Sequence, residues 1–204
     1  MISKNFIRAV EKTALEAKDK SNLLLVFGEI KPALVIDLTI NRKIKGKDYP
    51  YLSKTDTEEI IKVIKASGLS HQIRDKQIVV SEFETKNPLG EKTKVSTETI
   101  EILAANSTKK LRALEKCWWS DDDVMIGRAL GYPETAIQAF VGGRAALDIE
   151  TLPKKVKDGD AILFLSPKLS CDHWQEELAE GRKRATYIKE VSPIIYRQML
   201  KYKK

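Results

Sequence analysis

The sequence predicts an α+β fold: a mixed front portion with short strands, residues 1-95, and a mostly helical back portion with one added strand, residues 96-204. The two portions are equally compatible with one continuous domain. Three observations carry this. Apolar residues recur at helical spacing at the N-terminus and again after residue 96. The runs Leu23–Phe27 and Ala33–Ile40 are short, rich in Leu, Val and Ile, and separated by Gly28-Glu29-Ile30-Lys31-Pro32. A single further run of this kind, Ala161–Leu165, occurs late in the chain.

In chain order, Phe6, Ile7, Val10, Ala14 and Leu15 predict a helix over Ile2–Lys18. Leu23–Phe27 and Ala33–Ile40 read as a hairpin. The basic stretch Asn41–Tyr51 reads as a loop. Thr55, followed by Asp56 and Glu58-Glu59, opens a helix with a stripe of Ile60, Ile61, Val63 and Ile64, ended by Gly68. His71–Arg74 and Gln77–Phe83 predict two strands joined at Asp75-Lys76, and Asn87-Pro88-Leu89-Gly90 is a break. Ser96–Lys116 predicts a long helix with an interruption near Asn106-Ser107. After a basic loop from Leu152 to Asp160, Ala161–Leu165 is the added strand. A helix opens at Cys171 or Asp172 and runs to about Lys189. Ser192 caps a last helix with Pro193 at its first position, where proline is tolerated.

Composition excludes several classes. Of 204 residues, 42% are hydrophobic and 32% charged, which predicts a globular chain rather than a disordered one. The longest apolar runs fall far short of the roughly 20 residues of a membrane span. The N-terminus lacks an apolar signal core. Cys117 and Cys171 are the only cysteines, too few for a disulfide framework, so a cytoplasmic location is expected.

The net charge of +7 is unevenly placed. From Gly181 onward the bases are Arg182, Lys183, Arg184, Lys189, Arg197, Lys201, Lys203 and Lys204, against the single acid Glu190. Elsewhere bases and acids cancel. Such a block suits a phosphate backbone, RNA or DNA, or another polyanion, or else a solvated helix face. Arg182, Lys183, Arg184, Lys189, Arg197 and Lys201 are the candidate contacts.

The segment Cys117–Gly143 carries the densest local signals. Ser120 is a helix N-cap followed by Asp121, Asp122 and Asp123 at the positive end of the helix dipole. Val124, Ile126 and Leu130 form an apolar side, and Gly131 stops the helix. Pro133 opens a second helix with Ile137 and Phe140 facing inward. Gly127, Gly131 and Ile137 stand at the spacing of a bacterial helix-turn-helix, which this segment resembles over about 20 residues. Its chemistry argues against base reading: Pro133, Glu134, Thr135, Gln138 and Ala139 offer one suitable side chain, Gln138, beside a repelling carboxylate. The corner also predicts a pocket lined by Arg128, Tyr132, Glu134 and Gln138.

LGYPETAIQAF (Leu130–Phe140) resembles an uncharacterised prokaryotic domain-of-unknown-function family that carries Leu-Gly-Tyr-Pro-x-Cys-Cys and, later, Pro-Cys-Ser-x-x-Cys. Thr135 and Ala136 replace the first cysteines. In SPKLSCDHW (Ser166–Trp174) Cys171 keeps its cysteine and Pro167 replaces the other. GEIKPALVIDL (Gly28–Leu38) matches an upstream glycine-lysine-proline turn. The resemblance implies a shared fold without the cysteine site, and it transfers no activity.

Other chemistry is weaker. Cys171-Asp172-His173, with Cys117 and His71, lacks the paired spacing of a zinc site, so no metal and no cofactor is expected. Trp118-Trp119 and Trp174 read as packing surfaces rather than base-stacking platforms. Gly142-Gly143-Arg144 lacks the pattern of a phosphate loop. Three functions stay open: polyanion or nucleic-acid binding through the C-terminal helices, a small-ligand protein or enzyme with its pocket at the Gly131-Tyr132-Pro133 corner, and a structural or interaction module without catalysis.

Overall fold

The protein is described by a computed structural model covering residues 3–44, 47–84, 92–157, 159–165 and 168–201. The expected break at Asn87–Gly90 lies outside the described residues. Helices α1 (Lys4–Lys12) and α2 (Ala17–Phe27) precede strands β1 (Ala33–Ile44) and β2 (Lys47–Pro50). Helix α3 (Lys54–Ala66) leads to the long strands β3 (Ser70–Glu84) and β4 (Lys92–Ala105). Then come α4 (Thr108–Ser120), α5 (Asp123–Ala129), α6 (Glu134–Phe140), the short strand β5 (Ala146–Leu147) and α7 (Lys154–Lys157). A 3-10 turn at Asp160–Phe164 and the short strand β6 (Leu169–Ser170) precede α8 (Trp174–Val191) and α9 (Pro193–Leu200). The α+β class holds.

Strands β1 to β4 form one antiparallel sheet in the order β2-β1-β4-β3, and β5 pairs with β6 separately. Position 95 falls inside β4, a central strand hydrogen-bonded to both β1 and β3. One sheet face presents Leu34, Ile36, Leu38, Ile102 and Ala104 to α1, α2, α3, α8 and α9. The opposite face presents Ala33, Val35, Leu103 and Ala105 to α4. The main core therefore unites Val10 with Ile195 and Met199 near the other end of the chain.

Several sequence expectations are corrected. Leu23–Phe27 is not a strand but the end of α2, so the hairpin with Ala33–Ile40 does not form. Leu23, Leu24, Leu25 and Val26 are all essentially buried, because α2 lies between the sheet and α8–α9. A helix covered all round loses its amphipathic period. The N-terminal helix stops at Lys12, and in place of the expected loop Asn41–Ile44 extends β1 and Lys47–Pro50 forms β2. Ser53, not Thr55, caps α3, with a capping box to Asp56. His71–Phe83 is one strand, with a register irregularity between Arg74 and Gln77. Residues 96–105 are strand β4, rich in β-branched residues, and Ser107 caps α4 where the interruption was expected. Ser120 ends α4 rather than starting α5. Ala161–Leu165 is not a strand but a 3-10 turn packed on α8, where a Cβ on Gly181 would stand 2.5 Å from the Ala161 carbonyl oxygen. The helix expected from Cys171 starts at Trp174. Ser192 and Pro193 open α9 as expected, with the Ser192 side chain accepting from the Ile195 amide. No helix among the described residues is long and apolar enough to cross a membrane.

Candidate functional site

The helical corner is built from local backbone chemistry. Asp121 takes a left-handed conformation (φ 53°) that ends α4, and the Asp122 side chain caps α5 by accepting from the Met125 amide. Gly131 has φ 75°, a conformation glycine adopts at little cost. A Cβ there would stand 2.4 Å from Pro32 Cδ, and one on Gly127 would stand 2.8 Å from Ile137 Cγ1. The corner is thus pressed against both α6 and the Lys31-Pro32 turn.

The four predicted pocket residues separate. Arg128 donates through Nε and Nη2 to Glu134 at 2.8 and 2.7 Å, and Gln138 Nε2 donates to Glu134 at 3.0 Å. The Arg128 hydrogen bonds, aided by Gln138, hold Glu134 down to about 2. This trio lies on the outer surface, with Arg128 and Glu134 about half exposed. Tyr132 turns the other way. It lines a mostly apolar cavity of about 120 Å³ with Ile126, Gly127, Ala136, Ile137 and Phe140, and Asp123 at its edge. Phe140 was expected to face inward; it is 42% exposed, at the cavity's rim, with Lys168 over its ring. Arg128, Glu134 and Gln138 are not among the residues that line the cavity.

Behind Tyr132 lies a cationic cavity that sequence reasoning missed. At the end of α2, Glu29 takes a left-handed conformation (φ 61°), and the amides of Ile30 and Lys31 return to the Leu25 carbonyl. This closure fixes Lys31 in the interior, 4% exposed. Its Nζ donates to Asn22 Oδ1 at 3.1 Å and sits 5.3 Å from the Tyr132 ring centroid. Arg184, 5% exposed, reaches in from α8. It donates to the carbonyl oxygens of Phe164 (3.3 Å) and Gly131 (2.9 Å), while its Nε has no partner. Burial, and then the charge of Arg184, bring Lys31 down to about 7. Arg184 was expected on the basic surface. Its position on the buried stripe of α8, with Leu178, Gly181, Ala185 and Ile188, is the signal that places it inside.

The other C-terminal bases stand where expected: Arg182, Lys183, Lys189, Arg197 and Lys201 are exposed. Lys203 and Lys204 lie outside the described residues. Ser192 Oγ donates to Glu11 Oε1 at 2.6 Å, which ties α1 to the α8–α9 junction. On α1, Lys4, Arg8 and Lys12 repeat every fourth residue and are exposed, so they form one stripe on the helix.

A further cavity of about 280 Å³ lies between α2 and β1, lined by Asp19, Asp37, Glu16, Arg42 and Tyr51 among others. Burial, and then Glu16, push Asp19 up to about 6. On the α4 side of the sheet, Glu101 pairs with Arg74 and accepts from Trp118 Nε1, and Trp119 stacks over the Arg74 guanidinium at 3.3 Å. Trp119 is 64% exposed. Cys117 is buried and Cys171 exposed. Among the described residues no group of three or more His, Cys, Asp or Glu is placed to hold a metal ion. Compared with protein-family models, curated proteins and solved structures, the chain finds no match.

Proposed function

We propose that this protein binds a polyanion, nucleic acid in the first instance, through the exposed bases of α8 and α9 extended by the stripe on α1. The observation that carries the reading is the Ser192–Glu11 hydrogen bond. It holds Lys4, Arg8 and Lys12 beside the junction of helices bearing Arg182, Lys183, Lys189, Arg197 and Lys201. Glu11 is the one acid on α1, and Glu190 is the one acid in residues 181–204. Lys189 lies 5.8 Å from the Tyr196 ring and Arg197 Nε donates to the Pro193 carbonyl. Neither contact neutralises a charge, so both bases keep their attraction for phosphate.

The test is fluorescence anisotropy with duplex DNA and single-stranded RNA across a salt series. If the five exposed bases of α8–α9 each neutralise one phosphate, the duplex log–log slope is about −4.5, and affinity falls roughly 500-fold between 50 and 200 mM salt. Changing all five to Gln is expected to flatten that slope. Substitution is the right perturbation, because Ile195 and Met199 of α9 are core residues. A flat salt response, or unchanged affinity in the five-fold variant, refutes the proposal.

A second reading, a small-ligand pocket at the corner, is favoured by the apolar cavity beside Tyr132. Saturation of Trp or Tyr fluorescence changes by small aromatic compounds, lost on Ala136→Phe, would support it. No saturable change in the wild type would remove it.

A further inference from the structure

The cationic cavity behind Tyr132 has an unusual charge balance. Its walls include three cations, Lys18, Lys31 and Arg184, with the polar side chains Ser21, Asn22 and Tyr132. The remaining described lining residues are apolar: Leu25, Leu163, Phe164, Leu165 and Met199. No carboxylate is among them. Asp19, the acid that acts on Lys31 electrostatically, lines the separate cavity on the β1 side. Lys31 and Arg184 are each more than nine-tenths buried, and their hydrogen bonds go to neutral oxygens alone. Asp19 and Glu180 act on Lys31 and Arg184 electrostatically, but buried cations with no carboxylate in hydrogen-bond contact are costly, and an anion between them reduces that cost.

We propose that Lys31 and Arg184, with Lys18 at the mouth, form a binding site for an anionic oxygen group of a small phosphate, sulfate or carboxylate compound. The open space is about 20 Å³, which holds one oxygen-sized group. One oxygen of the head group inserts between Lys31 and Arg184, and the rest of the head group lies toward Lys18, which is exposed. Asn22 and Arg184 both line this space, and Arg184 Nε is a buried donor without a partner. The site uses different residues from the surface proposed to bind polyanions, so either can fail without the other.

Binding is linked to protonation. The charged groups acting on Lys31 are Arg184 on α8 and Lys18 and Asp19 on α2, and Tyr132 of the corner covers it. Burial and Arg184 keep the free amine near neutrality at about 7, and a bound anion favours the ammonium form. Affinity for an anion of constant charge therefore falls as pH rises through about 7.

The experiment is thermal unfolding of the full chain in sulfate, with chloride replacing it at fixed ionic strength. In the wild type, sulfate at ten times its dissociation constant is expected to raise Tm by about 3 °C or more. The rise should shrink between pH 6.5 and 8.5 and vanish in Lys31→Met. No rise in the wild type, or an equal rise in Lys31→Met, overturns the site; the latter would place sulfate on surface bases. A second measurement on the wild type stands if that variant fails to fold. Sulfate is expected to slow cyanate carbamylation of Lys31, read by mass spectrometry, and to leave the exposed Lys54 unchanged. Equal labelling of Lys31 with and without sulfate overturns the proposal. Inorganic phosphate and phenyl phosphate distinguish the source. Tighter binding of phenyl phosphate indicates the head group of an organic molecule, and equal binding a free inorganic ion; either supports the site.

Discussion

Replacing Gly131 with Ala tests how the corner is joined to the rest of the molecule. Two costs combine at this position. The backbone is left-handed, with φ 75°, which costs a non-glycine residue roughly 1–2 kcal/mol. The new Cβ would also stand 2.4 Å from Pro32 Cδ and 2.9 Å from Pro32 Cγ. Relieving such a contact in a packed region costs roughly 1–3 kcal/mol. Gly142 is the internal control. It has φ 83°, and nothing lies within 4 Å of the Cβ it would gain. Gly142→Ala should therefore lose about 1 kcal/mol, and Gly131→Ala about 3 kcal/mol. For a chain of this size that is about 3 °C against about 9 °C in Tm. The assay is urea unfolding followed by tryptophan fluorescence, with m-values checked for constancy. Adding Pro32→Ala to Gly131→Ala should recover part of the excess. Equal losses at Gly131 and Gly142 would show that the corner does not press on Pro32, and would remove the basis for placing Tyr132 over Lys31.

Three other outcomes are expected. Glu177→Gln should cost about 2 kcal/mol in urea unfolding, because the buried carboxylate accepts from the Ser170 amide, the Ser170 hydroxyl and the Thr135 hydroxyl, and an amide NH₂ would face a donor. Glu101→Ala should cost about 3 kcal/mol, since it leaves the Arg74 guanidinium and Trp118 Nε1 without their partner, with a shift in tryptophan emission as the second readout. Asp19→Asn should stabilise the protein near pH 8 by up to about 3 kcal/mol. The folded-state value, about 6, is above the unfolded 3.8, so the wild type is penalised where the carboxylate is charged. The advantage of Asn should shrink as pH falls through 6 and disappear below about 3.8; an advantage unchanged by pH would refute the burial of that charge.

The pattern of legible and illegible elements has a physical basis. Ser192-Pro193 and Gly131 were readable because caps and left-handed turns depend on the residues at the site itself. The Leu23–Phe27 run was misread because periodicity vanishes when every side of an element is covered. Residues 96–105 were misread because a central strand buried on both faces and a helix segment share the same short apolar pattern. Glu134 and Arg128 were rightly placed near the corner, but which side of α6 faced a cavity depended on Ile137 meeting Gly127.

The sequence by itself determined the α+β class, the helical corner at Gly131, and the concentration of positive charge after Gly181, since composition, charge and local backbone preference need no partner. Tertiary structure alone decided which of those charges meet solvent. Arg184 is within two residues of Arg182 and Lys183 in the chain, yet it points into the core toward Lys31, because α8 packs that side on α2 and the 3-10 turn. It likewise brought Lys4, Arg8 and Lys12 to the opposite end of the chain. Burial and long-range proximity are properties of packing, and a charge means something different on each side of a packed surface.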